Sequence, residues 1–273
     1  MPAMLTLHHA PTSVCSQKVR VGLALMELRY ESRMLNLQAG DQFEPGYLKL
    51  NPDAVVPTLV DGDLVVVESS LILAYLDREH FSSQLMPRDP AGRVRAEHWL
   101  LRCLSIHAAI NTLSFSTAMR KKILAEKTRD EIDALAARFP DPIMGQKRKD
   151  LILNGIASAY VGQALVHLRR LFADMQDELE EGPWLGGNRL GIADVALVAY
   201  VDRLDRLGFS GFWEEEFARV GPWLDTWKAL PAYSTGIADH LPPGSAEAMR
   251  AGGSAHWPEL QTRWTGLTET RAL

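Results

Sequence analysis

The sequence predicts a small α/β domain followed by a larger all-helical one. The first eighty residues alternate short apolar runs with a helix that has one buried face. A stretch with two prolines follows, and from about Arg93 to Leu241 nothing has the period of a strand. At 273 residues there is room for one large domain or two ordinary ones. A 47% apolar fraction with 23% charged residues is enough to bury a core.

Taken in order, Leu5-Thr-Leu-His-His reads as a short strand that stops at Pro11. From Ser13 to Met26, Val19, Leu23 and Met26 fall at i, i+4 and i+7, a helix with one apolar face, and Thr12 or Ser13 supplies its N-cap. Tyr30 to Leu35 alternates as a second strand. A loop with Gly40, Pro45 and Gly46 follows. Thr58-Leu-Val, Asp61-Gly-Asp and Leu64-Val-Val-Val place a DG turn between two β-branched runs, which is a hairpin. From Ser69 onward, Leu71, Ile72, Tyr75 and Leu76 return to helical spacing. Residues 1–82 are thus a β-α-β-loop-β-β-α domain, and Phe81 to Gly92 is a linker. Helical stretches over 93–120, 126–138, 147–178, 192–207 and 222–230, broken by prolines and by Gly186-Gly187, build a second domain over 93–245. Residues 246–273, with two adjacent glycines, read as an extended tail.

Composition removes several classes of function. A net charge of −5 argues against a nucleic-acid partner. No apolar run approaches the roughly 18 residues that span a bilayer, and His8 and His9 interrupt the N-terminus before a secretory signal can form. Two cysteines, Cys15 and Cys103, cannot make a disulfide framework, which places the protein in the cytoplasm. No Cys, His, Asp or Glu grouping has metal-ligand spacing, and Gly186-Gly187 does not open a helix after a strand as a phosphate loop would.

The residues that carry chemistry begin at Val55-Val56-Pro57-Thr58. A proline leading into a strand that must pair points to a cis peptide bond, which leaves the Val56 N–H and C=O facing a cleft where an extended peptide can add. Glu68-Ser69-Ser70 falls at a strand-to-helix junction. Ser69 reads as an N-cap there, and the helix start holds a carboxylate while Glu68 takes an ammonium group beside it. Together they grip the two charged ends of an amino acid. An ordinary cap with a solvated glutamate explains Glu68-Ser69 alone, but not with the Val56-Pro57 edge upstream.

With these residues in hand, the chain resembles the glutathione transferase family over about residues 4–235. The likeness rests on Ser13-Val-Cys-Ser, Leu50-Asn-Pro-Asp-Ala-Val-Val-Pro57, Glu68-Ser69 and Gly186-Gly-Asn-Arg-Leu-Gly-Ile-Ala-Asp194. Ser13-Val-Cys-Ser-Gln-Lys-Val-Arg and Phe43-Glu-Pro-Gly-Tyr-Leu-Lys-Leu-Asn are most similar to bacterial tetrachlorohydroquinone reductive dehalogenases. Phe139-Pro-Asp-Pro with Gln146-Lys-Arg-Lys is similar to bacterial glutathione-dependent β-etherases. The resemblance implies a thioredoxin-like N-terminal domain that binds glutathione as co-substrate, an all-α C-terminal domain that takes a hydrophobic electrophile, and a homodimer.

It also implies roles. A thiol with a pKa of about 8.5 needs about 2.7 kcal/mol of extra thiolate stabilisation to drop two units. Ser13 stands where serine-type transferases keep the hydroxyl that supplies it; simple capping is the bland alternative. Cys15 stands where the dehalogenases carry a nucleophilic cysteine, although a free cysteine is often just a small buried hydrophobe. Ser16 aligns with a serine of the etherases, so Ser13, Cys15 and Ser16 all stay candidates for the thiol contact. Val56, Pro57, Glu68 and Ser69 are the glutathione-binding residues. Two positions depart from the pattern. Ala54 replaces the His or Lys that meets the glycine carboxylate, leaving Lys49 or Arg20 to serve, and Gly191 replaces the hydroxyl half of the helix-start box completed by Asp194.

On the helix after the linker, His98, Trp99, Cys103, His107, Asn111 and Phe115 supply the face toward the electrophile. His107 there is either a general acid or an ordinary helical histidine. The expected activity is attack of the glutathione thiolate on a hydrophobic, aromatic electrophile, by β-aryl ether cleavage or general conjugation. The rivals are a Cys15-dependent reductive dehalogenation and a non-catalytic binding or regulatory protein on the same fold.

Overall fold

The structure, a computed structural model, describes residues 4–269. The described residues divide into two compact units. One holds the chain up to 103 together with 181–199 and 223–242; the other holds 104–180, 200–222 and the chain from 243 on. No single described helix is long and apolar enough to cross a membrane.

The first unit has the expected order. Strand β1 (Leu5–His9), helix α1 (Val14–Leu25), β2 (Tyr30–Met34), a one-turn helix α2 (Pro45–Leu48), β3 (Thr58–Asp61), β4 (Leu64–Val66) and α3 (Ser69–His80) follow one another. The sheet order is β2-β1-β3-β4. β1 and β2 are parallel, with Leu5 beside Tyr30; β1 and β3 are antiparallel, with His8 beside Thr58; β3 and β4 are antiparallel, with Leu59 beside Val66. The register puts the end of β1, the start of β3 and the end of β4 at one edge of the sheet.

The expected linker is pinned down. The buried Asp77 carboxylate accepts from the N–H groups of Leu85 and Met86 at 2.9 and 3.0 Å, and the Leu85 carbonyl accepts from Ile192 at the start of a later helix. The boundary between units therefore lies not there but within α4 (Pro90–Ser116). Asp194 closes the loop before α9 (Ile192–Arg206), accepting from Leu185 N–H, Gly191 N–H and Trp223 Nε1 at 2.8 to 2.9 Å. It fills the capping role expected of it without a hydroxyl at Gly191.

The second unit is helical: α5 (Ala118–Glu126), α6 (Arg129–Ala137), α7 (Pro142–Asn154) and α8 (Ala159–Glu180) follow α4. The single stretch expected over 147–178 breaks at Gly155, whose φ of +57° suits glycine, and the chain bends by 83° there. α10 (Val220–Lys228) and α11 (Pro231–Gly236) belong to the first unit's side of the division, apart from the first turn of α10.

The tail departs most from expectation. Residues 246–269 are not extended; they form α12 (Ser245–Ser254) and α13 (Trp257–Glu269), and residues 270–273 lie outside the described region. The glycine pair that suggested flexibility serves close packing. A Cβ at Gly253 would sit 2.2 Å from the Leu207 carbonyl oxygen, so only glycine lets α12 lie against that turn. Trp264 is buried among Phe172, Phe212 and Phe217, with centroids 4.6 Å apart for the Phe212 pair. Burying aromatic surface of this size explains why the segment folds back.

One network ties β1, α1 and α11 together within the first unit. Arg20, 1% exposed, donates to His9 Nδ1 at 3.0 Å, to the carbonyls of Ala10 and Pro11 at 3.0 and 2.8 Å, and to the Gly236 carbonyl at 2.9 Å. A guanidinium only donates, so His9 Nδ1 accepts and the ring proton sits on Nε2, which donates to Ser32 Oγ at 2.7 Å. Burial, with Arg20 and His240 nearby, pushes the His9 pKa down to about 3. The folded protein keeps His9 neutral while the unfolded chain takes up a proton below about pH 6.5. Stability is therefore lost as pH falls from about 6.5 toward 3, at up to about 1.4 kcal/mol per pH unit from this one group. Denaturant unfolding at pH 7.5 and 5.5 reads that slope. His9→Asn flattens it while lowering stability at pH 7.5, and an unchanged slope would remove His9 as its source.

Candidate functional site

The site residues come together because of the register. Ser13 follows the end of β1, Val56-Pro57 precedes β3, and Glu68-Ser69 follows β4, all at the same edge of one sheet. Ala10, at the end of β1, packs with Val56, Leu35 and Tyr47 in a buried cluster.

At the start of α1, Ser13 is the N-cap, and its Oγ accepts from the Ser16 N–H at 3.3 Å. Capping uses a lone pair and leaves the hydroxyl proton free to donate to an anion. Ser13 and Cys15 are partly exposed, the latter in the first helical turn. Ser16 differs: it is fully buried, and its Oγ accepts from the Ala10 N–H at 3.2 Å. The expectation that Ser16 contacts the thiol is corrected. It faces inward and braces the end of β1 against the helix.

Val56-Pro57 is a cis peptide bond, as the sequence suggests. Among the described residues, the Val56 N–H and C=O have no hydrogen-bond partner. The preceding peptide is held from behind. Burial raises the Tyr47 pKa, so the phenol keeps its proton and donates it to the Val55 carbonyl at 2.5 Å. Thr58 then donates to Tyr47 Oη at 2.9 Å, and the two amide protons of Asn51 go to Val55 O and Thr58 Oγ1 at 2.9 and 3.2 Å. Every donor in this set has an acceptor, so the Val55 carbonyl is fixed, while the adjacent Val56 peptide groups stay unpaired among the described residues.

At the third corner, Glu68 and not Ser69 occupies the N-cap position of α3, with φ +68°. A non-glycine residue in that region is costly and is found where surroundings impose it. The Glu68 carbonyl accepts from Ile72 N–H, so its carboxylate takes no part in capping. Among the described residues neither the exposed Glu68 carboxylate nor the Ser69 hydroxyl has a partner. Behind them the fully buried Lys18 ammonium donates to Ser70 Oγ at 3.0 Å, adding a positive charge beneath the first turn of α3.

Lys18, Tyr47, Asn51 and Thr58 were not singled out in the sequence. All four lie within motifs read from the sequence, but their roles depend on contacts that only the fold displays. Of the bases considered for a carboxylate, Arg20 is committed to carbonyls and a ring nitrogen, while Lys49 is exposed just after α2. Trp99 and Cys103 are buried in the core and present no face to a ligand; His98 is exposed, and His107, Asn111 and Phe115 are partly so. Among the described residues no grouping could hold a metal ion. A shallow hollow of about 440 Å³ lined by His8, Arg33, Asp41 and Tyr47 contains none of the site residues.

Comparison with known proteins matches the chain to two family models. One, described as the glutathione S-transferase N-terminal domain, covers residues 12–79; the other, the glutathione S-transferase C-terminal domain, covers residues 129–226. A tetrachloro-p-hydroquinone reductive dehalogenase of Sphingobium chlorophenolicum is 26% identical over 237 residues, 85% of this chain and 94% of that protein. Glutathione S-transferase Z1 of Arabidopsis thaliana is 45% identical over 85 residues, 31% of this chain and 38% of that protein. Among solved structures, the β-etherase LigF of Sphingobium sp. strain SYK-6 superposes with a TM-score of 0.74 at 22% identity, covering 86% of this chain and 99% of that one.

Proposed function

The chain belongs to the glutathione S-transferase family, and from that premise we propose that it binds glutathione and uses the thiolate to attack a hydrophobic, aromatic electrophile, displacing a phenolate or halide. One observation carries the reading. Four sets of polar groups at one sheet edge, the Ser13 hydroxyl proton, the Val56 N–H and C=O, the Glu68 carboxylate and the Ser69 hydroxyl, have no partner among the described residues, while Tyr47, Asn51 and Thr58 behind them are paired.

Each group matches a part of the tripeptide. Val56, beside Pro57, pairs with the backbone of the cysteine as one strand pairs with another. The α3 start, with Ser69 and the Lys18 charge behind it, favours the γ-glutamyl carboxylate, and Glu68 takes the ammonium. The exposed Lys49 takes the glycine carboxylate in place of Ala54. Ser13 donates to the thiolate, assisted by the N-terminus of α1.

Calorimetric titration with glutathione tests the site. Binding in the micromolar-to-millimolar range is expected, with Glu68→Ala weakening it about tenfold or more, since charge-assisted hydrogen bonds contribute about 1.5–3 kcal/mol each. Ser13→Ala is expected to cut kcat by roughly 10- to 100-fold on the same scale with little change in glutathione affinity. No heat from the folded wild-type protein would leave the fold as a scaffold for a binding or regulatory role.

A second, reductive reading rests on Cys15, which is partly exposed in the first turn of α1, and on the dehalogenase relative. In it the Cys15 thiolate attacks the sulfur of a glutathionyl-arene. The arene carbon leaves with the electron pair and takes a proton, and a second glutathione resolves the mixed disulfide as oxidised glutathione. Cys15→Ser abolishes turnover of chlorinated hydroquinones to reduced products in this case and leaves aryl-ether cleavage nearly unchanged. Full reductive turnover by the variant would rule the reading out.

The active species is proposed to be a homodimer. Leu71 on α3 and Val94 and Leu101 on α4, the last two seven residues apart, are more than half exposed, an apolar surface that a second copy would cover. Sedimentation velocity is expected to give a dimer for the wild type and a monomer for Leu101→Glu; a wild-type monomer at micromolar concentration would contradict it.

A further inference from the structure

The Gln146-Lys-Arg-Lys run on α7 is not absorbed by the glutathione site, and its three cations differ in their surroundings. Lys149 pairs with Asp133 at 2.9 Å. Lys147 and Arg148 have no carboxylate. Lys147 Nζ lies 4.9 Å from the Tyr160 ring centre, and the Arg148 guanidinium carbon lies 3.3 Å from that of Phe115 and 5.7 Å from that of Phe139. Among the described residues neither cation has a hydrogen bond or an ion pair.

Arg148 is only partly buried, and none of its nitrogens is among the buried polar atoms without a partner. Its five N–H donors form a planar fork with no acceptor capacity of its own, and the edges no protein group meets are open to solvent. Arg20 in the first unit shows the other outcome, with acceptors filling the fork. At Arg148 one face of the fork lies on Phe115, which stacking accounts for, while the N–H edges remain unmet. Burial lowers the pKa of Arg148 to about 10, so it is still a cation at neutral pH, and the same burial lowers that of Lys147. Phe115 continues the α4 face that carries His107 and Asn111 at i, i+4 and i+8, and all three are partly exposed.

We propose that Arg148, laid over Phe115 and flanked by Phe139, is a binding site for an aromatic carboxylate. The unmet edges of a planar fork match the two oxygens of a carboxylate, and the adjoining rings offer a face for the ligand's own ring. Lys147, one residue away, raises the local positive potential. The site lies wholly within the helical unit and does not rest on the glutathione reading.

The test is calorimetric titration of the full chain with 1-naphthoate, beside 1-naphthamide, cyclohexanecarboxylate and inorganic phosphate. Naphthoate is expected to bind at least tenfold more tightly than each of the other three. Arg148→Met, which keeps the stem and removes the charge, is expected to weaken naphthoate at least tenfold, and Arg148→Lys, which keeps the charge and loses the fork, by an intermediate factor. Thermal unfolding reports the fold of each variant, and if Arg148→Met does not fold, Arg148→Lys carries the comparison. Equal affinity for the acid and the amide, undiminished naphthoate binding by the variants, or no naphthoate binding at millimolar concentration would overturn the proposal. Phosphate binding as tight as naphthoate would overturn the aromatic part of it.

Discussion

The architecture of the first unit depends on one buried cation. Arg20 grips the carbonyls of Ala10 and Pro11 and the ring of His9, all at the end of β1, and reaches across to Gly236 at the end of α11. A guanidinium removed from water is costly unless its donors are met. Here they are met by neutral acceptors at the end of β1 and the end of α11, so the arginine, itself on α1, fixes the mutual positions of three elements. The turn that leads to Ser13 is thereby held from below, and Ser16 holds it from the side through the Ala10 N–H. The Ser13 hydroxyl of the candidate site is thus set by residues buried behind it.

The same division of labour recurs at the other two corners. Tyr47, Asn51 and Thr58 spend their donors on one another and on the Val55 carbonyl, and what remains unpaired is the Val56 peptide. Lys18 donates to Ser70, and what remains unpaired is the Glu68 carboxylate and the Ser69 hydroxyl. Inner residues are satisfied and outer residues are not, which is the pattern of a site whose hydrogen bonds are completed by a ligand. Preorganisation of this kind lowers the cost of ordering side chains on binding.

Much of this was visible in the sequence and part was not, for identifiable reasons. The strand and helix order of the first eighty residues follows from period and turn chemistry, and the DG hairpin at Asp61-Gly62 and the cap at Ser13 are local signals. The sequence leaves Ser13, Cys15 and Ser16 open because a hydroxyl one helical turn from another gives no local sign of which one faces inward. The tail was misjudged for a related reason. Gly252-Gly253 suggests freedom to a reader of sequence, but a glycine is equally suited to close contact, and only the Leu207 carbonyl beside it decides between the two. Asn51, Thr58 and Lys18 act through partners distant in sequence or across a turn, and no spacing rule encodes such meetings.

Arg20 and Arg148 put the limit in its sharpest form. Each sits on a helix and each follows a lysine or a lysine and a neighbour, but Arg20 is withdrawn from water and Arg148 only partly so. Nothing in composition or period separates them. The fold gives the first four neutral acceptors from distant segments, which makes it a brace. It gives the second an aromatic face and no acceptor, which leaves its hydrogen-bonding capacity for a partner from outside. Whether an arginine is structural or ligand-directed is thus decided by the acceptors that tertiary structure brings to its fork, and counting those acceptors is what turns a motif without a role into a candidate site.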